Sequence, residues 1–197
     1  MQVTLYFLIL LLGSASYAVG VRQMLQDKYA PSVFSRVVWL LLAMNSFAGV
    51  VLSKGSKASI LLAFILLVGN AAICLTSFRK GTRSFGKLEM VCLSLLLISG
   101  FIWLFFHAPL VNLGIGLLAH FIGALPTYRR VWREPSSEST AFWSLFFAAS
   151  ALSIFASKGH TLSAIVFPIY FTLFDGSMFA LSMRRNLLAA GRRKHSF

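Results

Sequence analysis

Acidic residues are nearly missing from this chain. Its 197 residues include five Asp and Glu against eighteen Lys and Arg, a formal net charge of +13. Charged residues of both signs make up only 12%, about half of the roughly 25% with which a soluble domain covers its surface. A soluble domain is therefore excluded, and lipid must be the solvent. The two cysteines, Cys74 and Cys92, lie inside apolar runs, where they form no metal or redox motif. HExxH, a pair of carboxylates on one helix and a serine–histidine motif are all missing, so an enzyme is not expected, nor a cofactor or metal. No GxxxxGK[ST] loop is present, so ATP is not expected to drive any process here. The basic residues fall in short clusters between apolar runs, with no nucleic-acid-binding motif. They read as a membrane topology signal, with no nucleic-acid partner.

What is abundant is apolar: 58% of the chain is hydrophobic, and mean hydropathy is +0.80. A helix needs about 20 mostly apolar residues to cross the ~30 Å hydrocarbon core. Seven segments qualify, at about Val3–Gly20, Val33–Ser53, Ala58–Phe78, Leu88–Phe106, Pro109–Thr127, Ala141–Ser157 and Thr161–Met183. The runs are continuous rather than alternating, which argues against a barrel. The first run, ending Ser16-Tyr17-Ala18, competes with a cleaved signal peptide that would leave six helices. The residues before it carry no Lys or Arg, which favours a retained span.

Fifteen of the eighteen Lys and Arg fall on one side of these spans, including Arg22, Lys28, Arg79, Lys80, Arg129 and Arg130, while Lys54, Lys57 and Lys158 fall on the other. Cytoplasmic loops are enriched in Lys and Arg, so the N-terminus is expected outside and the C-terminus in the cytoplasm, most simply across a plasma (inner) membrane. The Arg192-Arg193-Lys194 tail serves topology and attraction to anionic lipid heads.

The chain also repeats itself. A shift of 104 positions, the spacing of Trp39 and Trp143, aligns Pro31 with Pro135, Ser46 with Ser150, and Ser53-Lys54-Gly55 with Ser157-Lys158-Gly159. Eleven identities fall in the 35 positions from Pro31 to Ile65, where chance would give roughly three. Helix 2 thereby matches helix 6, helix 3 matches helix 7, helix 1 by extension matches helix 5, and helix 4 is unpaired. Four crossings separate the copies, so both point the same way, a parallel repeat about an axis along the membrane normal. The expected fold is an all-α membrane protein with seven transmembrane helices in a three-plus-one-plus-three order. Residues 1–80 form the first three-helix bundle, 81–108 the linker with helix 4, and 109–197 the second bundle with its basic tail.

This order resembles the SWEET and PQ-loop superfamily of membrane transporters. The topology match covers the whole chain. Gly123-Ala124-Leu125-Pro126-Thr127-Tyr128, then Arg129-Arg130 and Ser136-Ser137-Glu138-Ser139, is similar to that family's proline at the inner end of the first helix of a bundle, followed by a short basic loop. Thr127 stands where the family has glutamine, and the first copy reads Gly20-Val21-Arg22-Gln23 with no proline. The resemblance implies transport of a small polar solute, sugar-like or amine-bearing, by alternating access between the repeats. It also implies that an asparagine on each of helices 3 and 7 contacts the solute, a role that Asn70 and the substituting Asp175 would take, and that the region of Ser46 and Ser150 lines the cavity.

Read from the residues alone, Asp175 is the one acidic residue deep in a span, and such groups face a cavity or a partner. Asn70 maps through the repeat onto Phe174, beside Asp175, so both copies carry polarity at nearly one depth. An interhelical hydrogen bond would also explain Asn70. His120, mid-helix, can donate, accept or bind a proton, or simply bond a neighbour. Asn45 faces the same alternatives, and Ser46 and Ser150 are equally explained by close helix packing. Trp39 and Trp143 are read as an interfacial aromatic belt. Pro126 and Pro168, which donate no backbone N–H, are candidate hinges. The alternative to transport is a seven-helix receptor or sensor of the same fold that binds a ligand without moving it. A homo-oligomer stays open.

Overall fold

A computed structural model describes residues 2–27, 31–83, 86–157 and 161–194, with side chains described as far as Arg184. Lys28, Lys158 and Gly159 lie outside the described residues, as do the side chains of Arg192, Arg193 and Lys194. Within them the chain forms seven α-helices: α1 (Gln2–Leu25), α2 (Val33–Leu52), α3 (Lys57–Lys80), α4 (Lys87–Phe106), α5 (Pro109–Arg133), α6 (Thr140–Ala156) and α7 (Leu162–Lys194). Six are long and apolar enough to cross a membrane. The seventh, α6, is apolar but has only 17 residues, about 25 Å of helix. Pro135 opens a short 3-10 turn, Pro135–Ser137, which delays the start of α6 to Thr140.

Serine begins three of the helices. The Ser32, Ser56 and Ser139 hydroxyl oxygens accept from the backbone N–H groups of Ser35, Ser59 and Phe142, satisfying donors that a helix start leaves open. The repeat puts Ser136 opposite Ser32, but the cap of α6 is Ser139, one turn later. The helices α1, α5 and α7 run past their apolar segments into Arg22, Arg133 and Arg184, because backbone hydrogen bonding continues where the lipid solvent ends. Pro126 and Pro168 both lie inside unbroken helices.

The C-terminal ends of α1 and α3 are joined by an ion pair from Lys80 to Asp27, 2.8 Å. The start of α2 meets the segment after α3, where Val33 N–H donates to Thr82 O and Thr82 N–H to Pro31 O. The start of α4 joins them through Ser35, whose hydroxyl donates to Glu89 at 2.5 Å. The helices thus alternate in direction, and one end of the molecule collects Arg22, Arg79, Lys80, Arg83, Lys87, Arg129, Arg130 and Arg133. We call it the basic end.

Among the described residues α3 packs on both α1 and α2, which do not touch each other. Likewise α7 touches both α5 and α6, which do not touch each other. The two trios meet through α1 on α6 and α2 on α5. The peripheral helix is α4, packed on α5 and α2. It buries only the small side chains of Cys92 and Ser99 and leaves Leu97, Phe101, Leu104 and Phe105 more than half exposed. A helix apolar on every side suits a membrane span or a buried core, and this one is long and apolar enough to cross a membrane. Between helices that suit lipid, whose tails are as apolar as leucine, packing and hydrogen bonds supply the association. A polar cluster does so here: Asn45 Nδ2 donates to Ser99 Oγ at 3.3 Å, and the Ser99 hydroxyl has Asn112 O and Oδ1 as alternative acceptors for its one proton, tying α2, α4 and α5.

Candidate functional site

The trios enclose a cavity whose lining comes from α1, α2, α3, α5, α6 and α7. At its floor Asn70 and Asp175 are 4% and 2% exposed. Asn70 Nδ2 donates to Leu66 O at 2.9 Å and to Tyr17 OH at 3.1 Å. A carbonyl only accepts, so the first bond fixes the amide's orientation, and both N–H protons are then spent. Ser150, 0% exposed, donates to Asp175 Oδ2 at 3.1 Å and lies 2.9 Å from Phe146 O. Asn70 and Asp175 each keep one oxygen, Oδ1, with no hydrogen-bond partner among the described residues.

His120 lies on the same cavity. Its Nδ1 is 2.8 Å from Tyr170 OH, and its ring is 4.6 Å from that of Trp39. Trp39 and Trp143, read from the sequence as an interfacial belt, instead face inward and line the cavity from opposite trios. Trp143 is 6% exposed, held edge-on by Phe142 and Phe174. Tyr17 is packed edge-on by Phe142 and Phe146. A tryptophan near a helix end satisfies either placement, and here the aromatic packing draws both indoles in.

The lining reaches the basic end at Gln23, Arg36, Thr127 and Glu138. The Arg36 guanidinium carbon lies 5.5 Å from the centroid of the Trp39 ring. Burial pushes the Glu138 carboxyl above its ordinary range, and the charges of Arg36 and Arg130, with the Trp143 side chain, pull it back only in part. A carboxyl whose pKa is raised by folding contributes most to stability below its unfolded pKa of about 4.3. That contribution is lost as pH rises through the raised value. Glu138→Gln should therefore be at least as stable as the native chain at pH 7, and should lose that part of the pH dependence above about 4.3. Melting curves from pH 4 to 8 check this, and a lower melting temperature for Glu138→Gln at pH 7 would contradict it.

The opposite end is sealed by polar contacts between the trios. The Ser56 and Ser157 hydroxyls share a hydrogen bond of 2.7 Å, and Gln2 Nε2 donates to Ala156 O at 3.3 Å. Ser59 Oγ donates to Ala164 O at 2.6 Å. The cavity itself is small, about 60 Å³, on a measure in which one water needs about 10–15 Å³. It is a contracted site with room for a few waters.

The residues expected from the sequence divide. Asn70, Asp175 and His120 line this cavity, and Ser150 supports Asp175 from behind. Asn45 turns away toward Ser99 on α4. Ser46 is buried at 2% exposure, outside the lining and near Gly116. Pro126 lines a second cavity of about 260 Å³ between α2, α4 and α5, which also carries Ser35, Arg36, Glu89 and Arg130. Pro168 lies in α7, and its carbonyl accepts from Thr172 Oγ1 at 2.7 Å. Sequence reading missed Tyr17, Tyr170, Arg36 and Glu138. For the two tryptophans a signal existed, since they define the repeat and are the only large side chains it keeps at a helix entrance.

No family model, curated protein or solved structure matches the chain.

Proposed function

We propose that the protein moves a small polar solute across a membrane by alternating access. On this reading seven helices span the bilayer, α6 included, as two parallel three-helix bundles, α1–α3 and α5–α7, with α4 as the linker that lets both point the same way. The basic end is cytoplasmic by the bias of Lys and Arg. The proposed likeness to SWEET and PQ-loop transporters rests on this architecture. What supports it is the pairing of helices. α3 sits between α1 and α2 as α7 sits between α5 and α6, and the contact of α1 with α6 is the repeat image of the contact of α5 with α2.

The observation that carries the function is the cavity between the bundles, with buried Asn70 of α3 and Asp175 of α7 at its floor and two repeat-related tryptophans nearer the basic end. One end is sealed by serine hydroxyls and the lining extends toward the other, the asymmetry of a carrier caught facing one side. Charged and amide groups at mid-membrane are costly, and a packed bundle without a solute has no use for the unpaired Oδ1 atoms.

Uptake of a panel of radiolabelled sugars and amines into proteoliposomes tests this. At least one solute should accumulate faster than in empty vesicles, and Asn70→Ala should reduce its uptake about tenfold while the protein still melts cooperatively. No uptake of any solute by folded protein would count against transport.

A further inference from the structure

Deepening the solute-transport reading, we infer that the cavity takes a protonated amine, a small organic monocation, with its N–H groups on Asp175 and Asn70 and its alkyl part against the aromatic walls. The unused valences at the floor point to this ligand. Asn70 has spent both of its N–H protons and offers only Oδ1. Asp175 receives one hydrogen bond, from Ser150, and offers Oδ1 as well. With Asp175 ionised both open positions are acceptors, so the floor calls for donors.

Charge points the same way. Asp175 is 2% exposed, and among the described residues no basic side chain reaches it. A buried carboxylate without a cationic partner is costly, and an ammonium supplies that partner. Arg36 also lines the cavity, but at the mouth, where Glu138 opposes it. The walls fit too. Trp39, Trp143, Phe142 and Phe174 present ring faces and edges around the space, and ring faces attract cations within about 6 Å. The Arg36 guanidinium, 5.5 Å from Trp39, already occupies such a position. A sugar would instead need several donors and acceptors close around its ring, and beside Asn70 and Asp175 the lining presents Leu66, Phe146, Phe171 and Phe174, which offer neither.

Equilibrium binding of radiolabelled butylammonium to the full chain in lipid nanodiscs tests the inference, with 1-butanol and glucose as neutral competitors. Butylammonium should bind saturably, 1-butanol and glucose should compete at least tenfold more weakly, and Asp175→Asn should lower affinity at least tenfold. That variant keeps an oxygen for Ser150 and the native shape, so its melting curve should stay near native. Trp39→Phe should keep most of the binding and Trp39→Leu should lose it severalfold, a contrast that a purely structural role would not give. If butylammonium fails to bind folded native protein, or 1-butanol competes equally well, the inference is overturned. Glucose uptake with no amine binding would overturn it and leave transport standing. Amine binding without any flux would uphold it and remove transport.

Discussion

Gly69→Val should lower the melting temperature of the purified protein by roughly 10 °C, at about 2–4 °C per kcal/mol for a chain of this size. Gly69 lies on α3 where the Tyr17 ring of α1 crosses it, and a Cβ built there would lie 2.2 Å from the ring carbons. Tyr17 is 7% exposed and fixed by Asn70 and two phenylalanines, so its ring cannot yield without leaving its pocket. Overpacking of this kind costs about 1–3 kcal/mol, occasionally more, and the lost hydrogen bond to Asn70 adds about 0.6 kcal/mol in a membrane setting. Gly100 is the control. Nothing lies within 4 Å of a Cβ there, and alanine in a helix is favoured over glycine by roughly 0.5–1 kcal/mol. Gly100→Ala should hold or raise the melting temperature. Similar losses at both glycines would mean that α1 and α3 do not cross at Gly69.

Joining Ser56 to Ser157 should stop transport. Their hydroxyl oxygens are 2.7 Å apart, and they sit on different bundles, one at the start of α3 and the other just after α6. With cysteine at both positions, oxidation should reduce uptake more than tenfold, and a reducing agent should restore it. The native Cys74 and Cys92 are buried and should take no part. The paired Ser56→Ala and Ser157→Ala changes remove this hydrogen bond, worth about 0.6 kcal/mol in this setting, and the Ser56 cap of α3, worth about 1 kcal/mol, and should leave the fold intact. Full uptake by the oxidised cysteine pair would show that the sealed end does not need to open.

The helices were legible in the sequence because long apolar runs leave little ambiguity, and six of the seven are long and apolar enough to cross a membrane. Their ends were less so: α1, α5 and α7 run beyond the apolar segments, whereas α6 lies within one residue of its expected span. The floor of the site was half legible. Asp175, Asn70 and His120 stand out as polar groups in apolar spans, and all three line one cavity. Asn45 has the same chemistry and the same depth, yet it faces Ser99 on α4. Periodicity in a helix that is apolar all round does not say which face meets a cavity and which meets a neighbouring helix. Trp39 and Trp143 were misread for a related reason, since an indole near a helix end suits the lipid interface and the bundle interior equally, and only the packing of His120, Phe142 and Phe174 decides. Glu138 stayed hidden because Arg36, the first of the charges that act on it, comes from α2 and is distant in sequence, although Arg130 is near.

The central claim is that α1–α3 and α5–α7 move against each other, opening one end as the other closes. Paired spin labels at Lys57 and Leu162, at the sealed end, and at Arg22 and Arg129, at the basic end, measure this by pulsed electron resonance on the protein in nanodiscs. The account expects two populations whose distances change in opposite senses, the Lys57–Leu162 separation lengthening in the molecules where Arg22–Arg129 shortens, with a transported solute shifting the balance. A single fixed distance at both ends, or two ends that widen together, would contradict it.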